Sequence, residues 1–149
     1  MRQLLRRHDH RTGDFSGCGY VYASTNSLPE QGELLGVSCL SARACTAVGD
    51  ATSHAGTPAV LAERWNGGSW ERQGSPDAPS ELLGVSCASA QTCIAAGDST
   101  DNAATQVTLA ERWNGRRWTK ESTSDPLAAQ GSYLTAVSCS LERVCTVVG

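Results

Sequence analysis

The same short phrase returns three times in this chain. Val37-Ser38-Cys39 leads to Cys45 and Gly49, Val85-Ser86-Cys87 to Cys93 and Gly97, and Val137-Ser138-Cys139 to Cys145 and Gly149. Five residues separate the two cysteines each time. Cys39 to Cys87 is 48 positions (87 − 39) and Cys87 to Cys139 is 52 (139 − 87). A repeat of this length is one supersecondary unit. Such a unit cannot bury its apolar surface alone and has to stack on its neighbours.

Within the unit the apolar residues keep a period of two. Leu35, Val37 and Cys39 alternate with Leu34, Gly36 and Ser38, which predicts a first strand. A short Leu-Ser-Ala-Arg-Ala link leads to a second strand, Cys45-Thr46-Ala47-Val48-Gly49. The polar stretch 50–57 is a loop. Pro58 to Trp65 is a third strand, Asn66-Gly67 signals a tight hairpin, and Ser69 to Gln73 is a fourth strand. The next unit repeats the plan: Glu63-Arg64-Trp65-Asn66-Gly67 with Trp70 becomes Glu111-Arg112-Trp113-Asn114-Gly115 with Trp118. The reading is an all-β chain of antiparallel four-stranded units. Residues 1–14 form a basic, disordered N-terminal segment and 15–32 the worn end of a preceding unit. Repeat one spans 33–80, repeat two 81–132, and 133–149 is the start of a third. Shifting by 48 sets Gly19 under Gly67, Tyr22 under Trp70 and Cys18 under Asn66.

Composition narrows the function. A net charge of −3 without a basic run beyond the N-terminus argues against nucleic acid. No apolar run is long enough for a membrane helix. The N-terminal segment, with Arg2, Arg6, Arg7 and Arg11, lacks the apolar stretch of a secretory signal. Regular cysteine pairs nevertheless favour an oxidising compartment. The expectation is a piece of a longer exported protein, extracellular or cell-surface. A cytoplasmic protein with reduced thiols is the alternative.

Cys39 with Cys45, Cys87 with Cys93, and Cys139 with Cys145 each bracket a short hairpin loop, where Cα atoms come within disulfide reach. Disulfides inside each hairpin fit best. Free thiols and zinc are the alternatives, although structural zinc sites usually place cysteines two to four apart. Cys18 stands outside the pattern as a free thiol.

The Val-Ser-Cys-x5-Cys and Glu-Arg-Trp-Asn-Gly-x-x-Trp motifs over residues 33–149 resemble the Cys-paired β-propeller repeats of predicted secreted bacterial proteins. More loosely, they are similar to kelch and Asp-box repeats. That resemblance implies a partial β-propeller of two full blades with half-blades at both ends. It implies a non-catalytic binding or scaffold module with a carbohydrate or protein ligand, and further blades or self-association as partners. A fragment of a propeller-fold glycosidase or sialidase is the alternative function. No cofactor or metal is expected.

Several residues invite a chemical reading. Glu63-Arg64 and Glu111-Arg112 have the composition of a glycosidase site, but a feature that recurs unit by unit belongs first to the fold. Trp65, Trp70, Trp113 and Trp118 flank the Asn-Gly turns and fill space more often than they bind sugars. The stretch Asp98-Ser99-Thr100-Asp101-Asn102 has oxygen ligands without the spacing of a calcium loop. His8 and His10 lie in the terminal segment, where solvation outranks metal binding. The non-repeating residues, 50–57, 74–80, 98–105 and 119–132, are expected on one side of the molecule, where a ligand surface belongs.

Overall fold

The computed structural model describes residues 31–52, 56–75, 80–125, 131–141 and 144–149. The expectations for 1–14, Cys18 and most of 15–32 lie outside these residues.

Ten strands follow in chain order. They are β1 (Gln31–Ser41), β2 (Ala44–Thr52), β3 (Pro58–Trp65), β4 (Trp70–Gln73), β5 (Ser80–Ser89), β6 (Thr92–Thr100), β7 (Gln106–Trp113), β8 (Trp118–Glu121), β9 (Ala136–Leu141) and β10 (Val144–Val148). They form three antiparallel sheets, β1-β2-β3-β4, β5-β6-β7-β8 and the hairpin β9-β10. The registers repeat: Cys45 faces Trp65 across β2 and β3, and Cys93 faces Trp113 across β6 and β7.

The strands overrun the predicted loops. β2 extends to Thr52 and β6 to Thr100, so Asp50 and Asp98 are strand residues. The Asn-Gly turn is wider than a two-residue hairpin, because Trp65 pairs with Trp70 and leaves four residues between. Asn66 makes this turn. Its Oδ1 accepts from the amides of Gly68 and Ser69, both at 2.9 Å, and Gly67 takes a φ of +95°. Asn114 and Gly115 (φ +91°) repeat it. A side chain here would be strained, which is why glycine follows asparagine in both copies.

The sheets stack in sequence. β5 packs against β1, β2 and β3, and β9 against β5 and β6. The main core lies between the first two sheets: Val48, Val60 and Ala62 from one side meet Leu82, Val85, Ala95, Leu109 and Trp113 from the other. Close approach depends on glycine. A Cβ on Gly36 would lie 3.0 Å from the Gly84 Cα, and one on Gly84 3.1 Å from the Thr135 carbonyl oxygen.

This overturns the propeller reading. The described residues form discrete sheets of four, four and two strands, and no backbone ladder joins a strand of one sheet to a strand of another. They pack face to face without closing into a curled ring. A repeat with two apolar faces dictates stacking, but the period alone does not dictate closure. The corollary of added blades or self-association falls with it, since the described units already pack upon each other within one chain. No helix among the described residues is long and apolar enough to cross a membrane.

Candidate functional site

The motif residues meet between sheets. In Val-Ser-Cys, the serine of one unit serves the cysteine of the next: the Cys87 amide donates to Ser38 Oγ at 3.0 Å, and the Cys139 amide to Ser86 Oγ at 2.9 Å. The register shifts beside each cysteine, between Cys39 and Ser41 and between Cys87 and Ser89, interrupt the regular ladder at these positions.

The cysteine pairs form disulfides within their own hairpins: Cys39–Cys45, Cys87–Cys93 and Cys139–Cys145, with Cα separations of 4.0, 3.9 and 4.0 Å. Thr46 Oγ1 lies 3.8 Å from Cys93 Sγ. A disulfide sulfur carries no hydrogen, so Thr46 is the donor. Trp113 sits beside the second disulfide and donates from Nε1 to the Ala90 carbonyl at 3.3 Å. Trp65–Trp70 and Trp113–Trp118 form tilted pairs with centroids 5.8 Å apart, so the tryptophans fill space beside their turns.

The Glu-Arg dipeptide divides its roles by alternation. Arg64 reaches the second sheet, its guanidinium carbon 5.0 Å from the Trp113 ring centroid. Burial lowers the Arg64 pKa, and its Nη1 has no hydrogen-bond partner. Glu111 faces back toward the first unit and accepts a 2.5 Å hydrogen bond from Ser75 Oγ, just beyond β4. Glu63, its counterpart, is fully buried, and neither of its oxygens has a partner. Burial raises its pKa, and the charge of Arg72, opposite it on β4, lowers it in part. Alternation offers two contacts between units, Glu63 with Arg112 or Arg64 with Glu111; Glu63 makes no hydrogen bond to Arg112, and Arg64 crosses to an aromatic ring.

The opposite ends of the strands carry the non-repeating residues. The disulfide turns and Asn-Gly turns share one side, where a Cβ on Gly67 would touch Arg43 and one on Gly115 would touch Gln91. On the other side Glu33 pairs across with Asp50, and Glu81 with Asp98. Burial raises the Glu81 pKa. The Asp98 charge and its hydrogen bond with Glu81 add to this, followed by the charges of Asp50 and Glu33. Asp98 is 8% exposed and its Oδ2 accepts from Gln106 Nε2 at 2.9 Å. An open cavity of about 290 Å³ is lined by Gly32, Glu33, Asp50 and Thr52. Another of about 520 Å³ lies against Val107, Thr108, Lys120 and Asp125. Asp125 Oδ1 there accepts from the Thr108 amide at 2.8 Å, a contact its isolated place in a connecting segment gave no way to foresee.

Of the 98–102 stretch, residues 98–100 end β6 and a turn begins at Asp101. Asp101 Oδ1 accepts from the amides of Ala103 and Thr105. Among the described residues no group of three or more His, Cys, Asp or Glu side chains is placed to hold a metal. The chain matches no known protein-family description and no curated protein. The resemblance to Cys-paired, kelch or Asp-box propeller repeats therefore gains no support. Neither the propeller-type module nor the glycosidase fragment is supported; the described residues form an all-β chain of packed, unclosed sheets.

Proposed function

We propose that this chain is a non-catalytic all-β module whose disulfide-fastened sheets support a ligand surface on their loop-bearing side. The observation that carries this reading is duplication. Ser38 and Ser86 hold matching positions and make matching contacts between units. Glu63-Arg64 and Glu111-Arg112 occupy matching strand positions, and Arg64 and Glu111 act across the first stack. Catalysis needs one convergent set of groups, whereas groups repeated at each sheet boundary hold a stack together. The disulfides support an oxidising, exported setting.

The ligand surface is the side that bears Glu33, Asp50, Glu81 and Asp98, together with the two cavities. Its like charges repel one another, so a ligand with positively charged groups, such as a basic peptide, suits it best. Calorimetric titration with a lysine- and arginine-rich peptide tests this reading. Glu33→Gln and Asp125→Ala are expected to weaken binding by about tenfold, a loss of roughly 1.4 kcal/mol. Arg43→Ala, on the disulfide-turn side, is expected to leave it unchanged. Equal weakening by Arg43→Ala, or no binding at all, contradicts the proposal.

A further inference from the structure

One carboxylate oxygen on the loop-bearing side is buried without a donor. Asp98 is 8% exposed, its Oδ2 accepts from Gln106 Nε2 at 2.9 Å, and its Oδ1 meets no N–H or hydroxyl group. Opposite it across β5 and β6 stands Glu81, whose side chain is hydrogen-bonded to Asp98. Ionised carboxylates only accept, so a hydrogen bond between two of them needs a proton on one. A proton on Glu81 supplies the donor that Asp98 Oδ1 lacks and relieves the cost of burying that oxygen unpaired.

The surroundings hold that proton in place. β1 brings Glu33 to Glu81 and β2 brings Asp50, so the groups whose charge acts on Glu81 are all carboxylates. β3 carries Arg64, but that guanidinium lies over Trp113, which pairs with Cys93 at the other end of β6. At the Asp98 end, β7 offers the neutral side chains of Gln106 and Thr108, and β9 carries no charged residue. Glu33 and Asp50 also line the open cavity of about 290 Å³. The cluster is thus reached from solvent at the first sheet and ends on a buried oxygen at the second.

We propose that Glu81 and Asp98 share one proton in the free protein, and that a positively charged group of the ligand, seated over Glu33 and Asp50, expels it. On the reading of this side as a surface for basic ligands, on which this rests, binding is an exchange of a cation for a proton. A nearby positive charge favours the ionised form of a carboxyl, so the proton leaves to solvent as the ligand arrives. A lysine ammonium or arginine guanidinium brings N–H donors in its place. Affinity therefore rises with pH until Glu81 is already ionised in the free protein, and is level beyond.

Two measurements on the full chain test this. In a ¹³C NMR titration of the side-chain carboxyl carbons, Asp98→Asn is expected to lower the proton affinity of Glu81 about tenfold. The amide neither repels the ionised Glu81 nor lacks a donor for it. An unchanged Glu81 titration overturns the proposal. The second is calorimetric titration with the lysine- and arginine-rich peptide at about one pH unit below the Glu81 midpoint, in buffers of different ionisation heat. About one proton is expected to be set free per bound peptide by the unaltered chain, and about none by Glu81→Gln. Binding without proton release overturns the exchange and leaves the surface reading standing, whereas no binding in any buffer overturns both. Equal release by Glu81→Gln overturns the proposal as well, since the proton then comes from another group. Should Asp98→Asn fail to fold, the calorimetric comparison with Glu81→Gln decides.

Discussion

Glu63 and Glu111 share a strand position, but Glu111 receives the Ser75 hydroxyl, whereas Glu63 lies opposite Arg72 and neither of its oxygens has a hydrogen-bond partner. Unpartnered buried oxygens cost free energy that a single donor relieves, so the residue after β4 matters as much as the strand that carries the glutamate. Glu81 shows the same sensitivity through charge. Its pKa is raised by burial, by Asp98, and by Asp50 and Glu33. A raised folded-state value means that the native chain holds this proton more tightly than the unfolded chain. The stabilisation is complete below the ordinary carboxylate pKa and is lost as pH rises through the folded value. Glu81→Gln is therefore expected to raise stability at neutral pH and to flatten its fall between weakly acidic and neutral solution, as read from thermal melts at several pH values. A variant that melts lower than the unaltered chain at neutral pH contradicts this. Glu33 and Asp50, like Glu81 and Asp98, stand 17 positions apart (50 − 33 and 98 − 81) with no motif to join them, and their convergence depends on strand register and on how one sheet lies on the next.

At the scale of elements, the hairpins were largely legible. Period-two alternation marked the first strand of the unit, the polar loop and the Asn-Gly turn set off the others, and the five-residue cysteine spacing placed each disulfide across β1-β2, β5-β6 or β9-β10. The strand ends were not, because Asp50 and Asp98 look like loop residues while their backbones continue the ladder. Nor was the four-residue turn, which depends on the Trp65–Trp70 pairing across it. Each disulfide closes a loop of about seven residues, for which the chain-entropy model gives roughly 2–2.5 kcal/mol. The double substitution Cys87→Ala with Cys93→Ala is expected to lose about that much, measured by urea unfolding. It removes the sulfur that accepts from Thr46 as well, so the loss is expected to exceed that of the Cys139→Ala, Cys145→Ala pair in the exposed hairpin. Equal losses would show that the contact with Thr46 contributes nothing.

Across the whole molecule, repetition pointed to stacked units and an apolar core between them, and both are present. The resemblance also implied the blades of a partial propeller, and that expectation failed. A repeat fixes what each face is made for, while closure depends on the angle between successive sheets, which no residue pattern here encodes. The central claim is that the repeated Glu-Arg-Trp segment links one sheet to the next. It is tested most directly across the first boundary, by a double-mutant cycle on Ser75→Ala and Glu111→Gln in urea unfolding. A hydrogen bond to a buried carboxylate between sheets predicts a coupling of roughly 1.5–3 kcal/mol. Two effects that simply add, to within about 0.5 kcal/mol, would contradict the account.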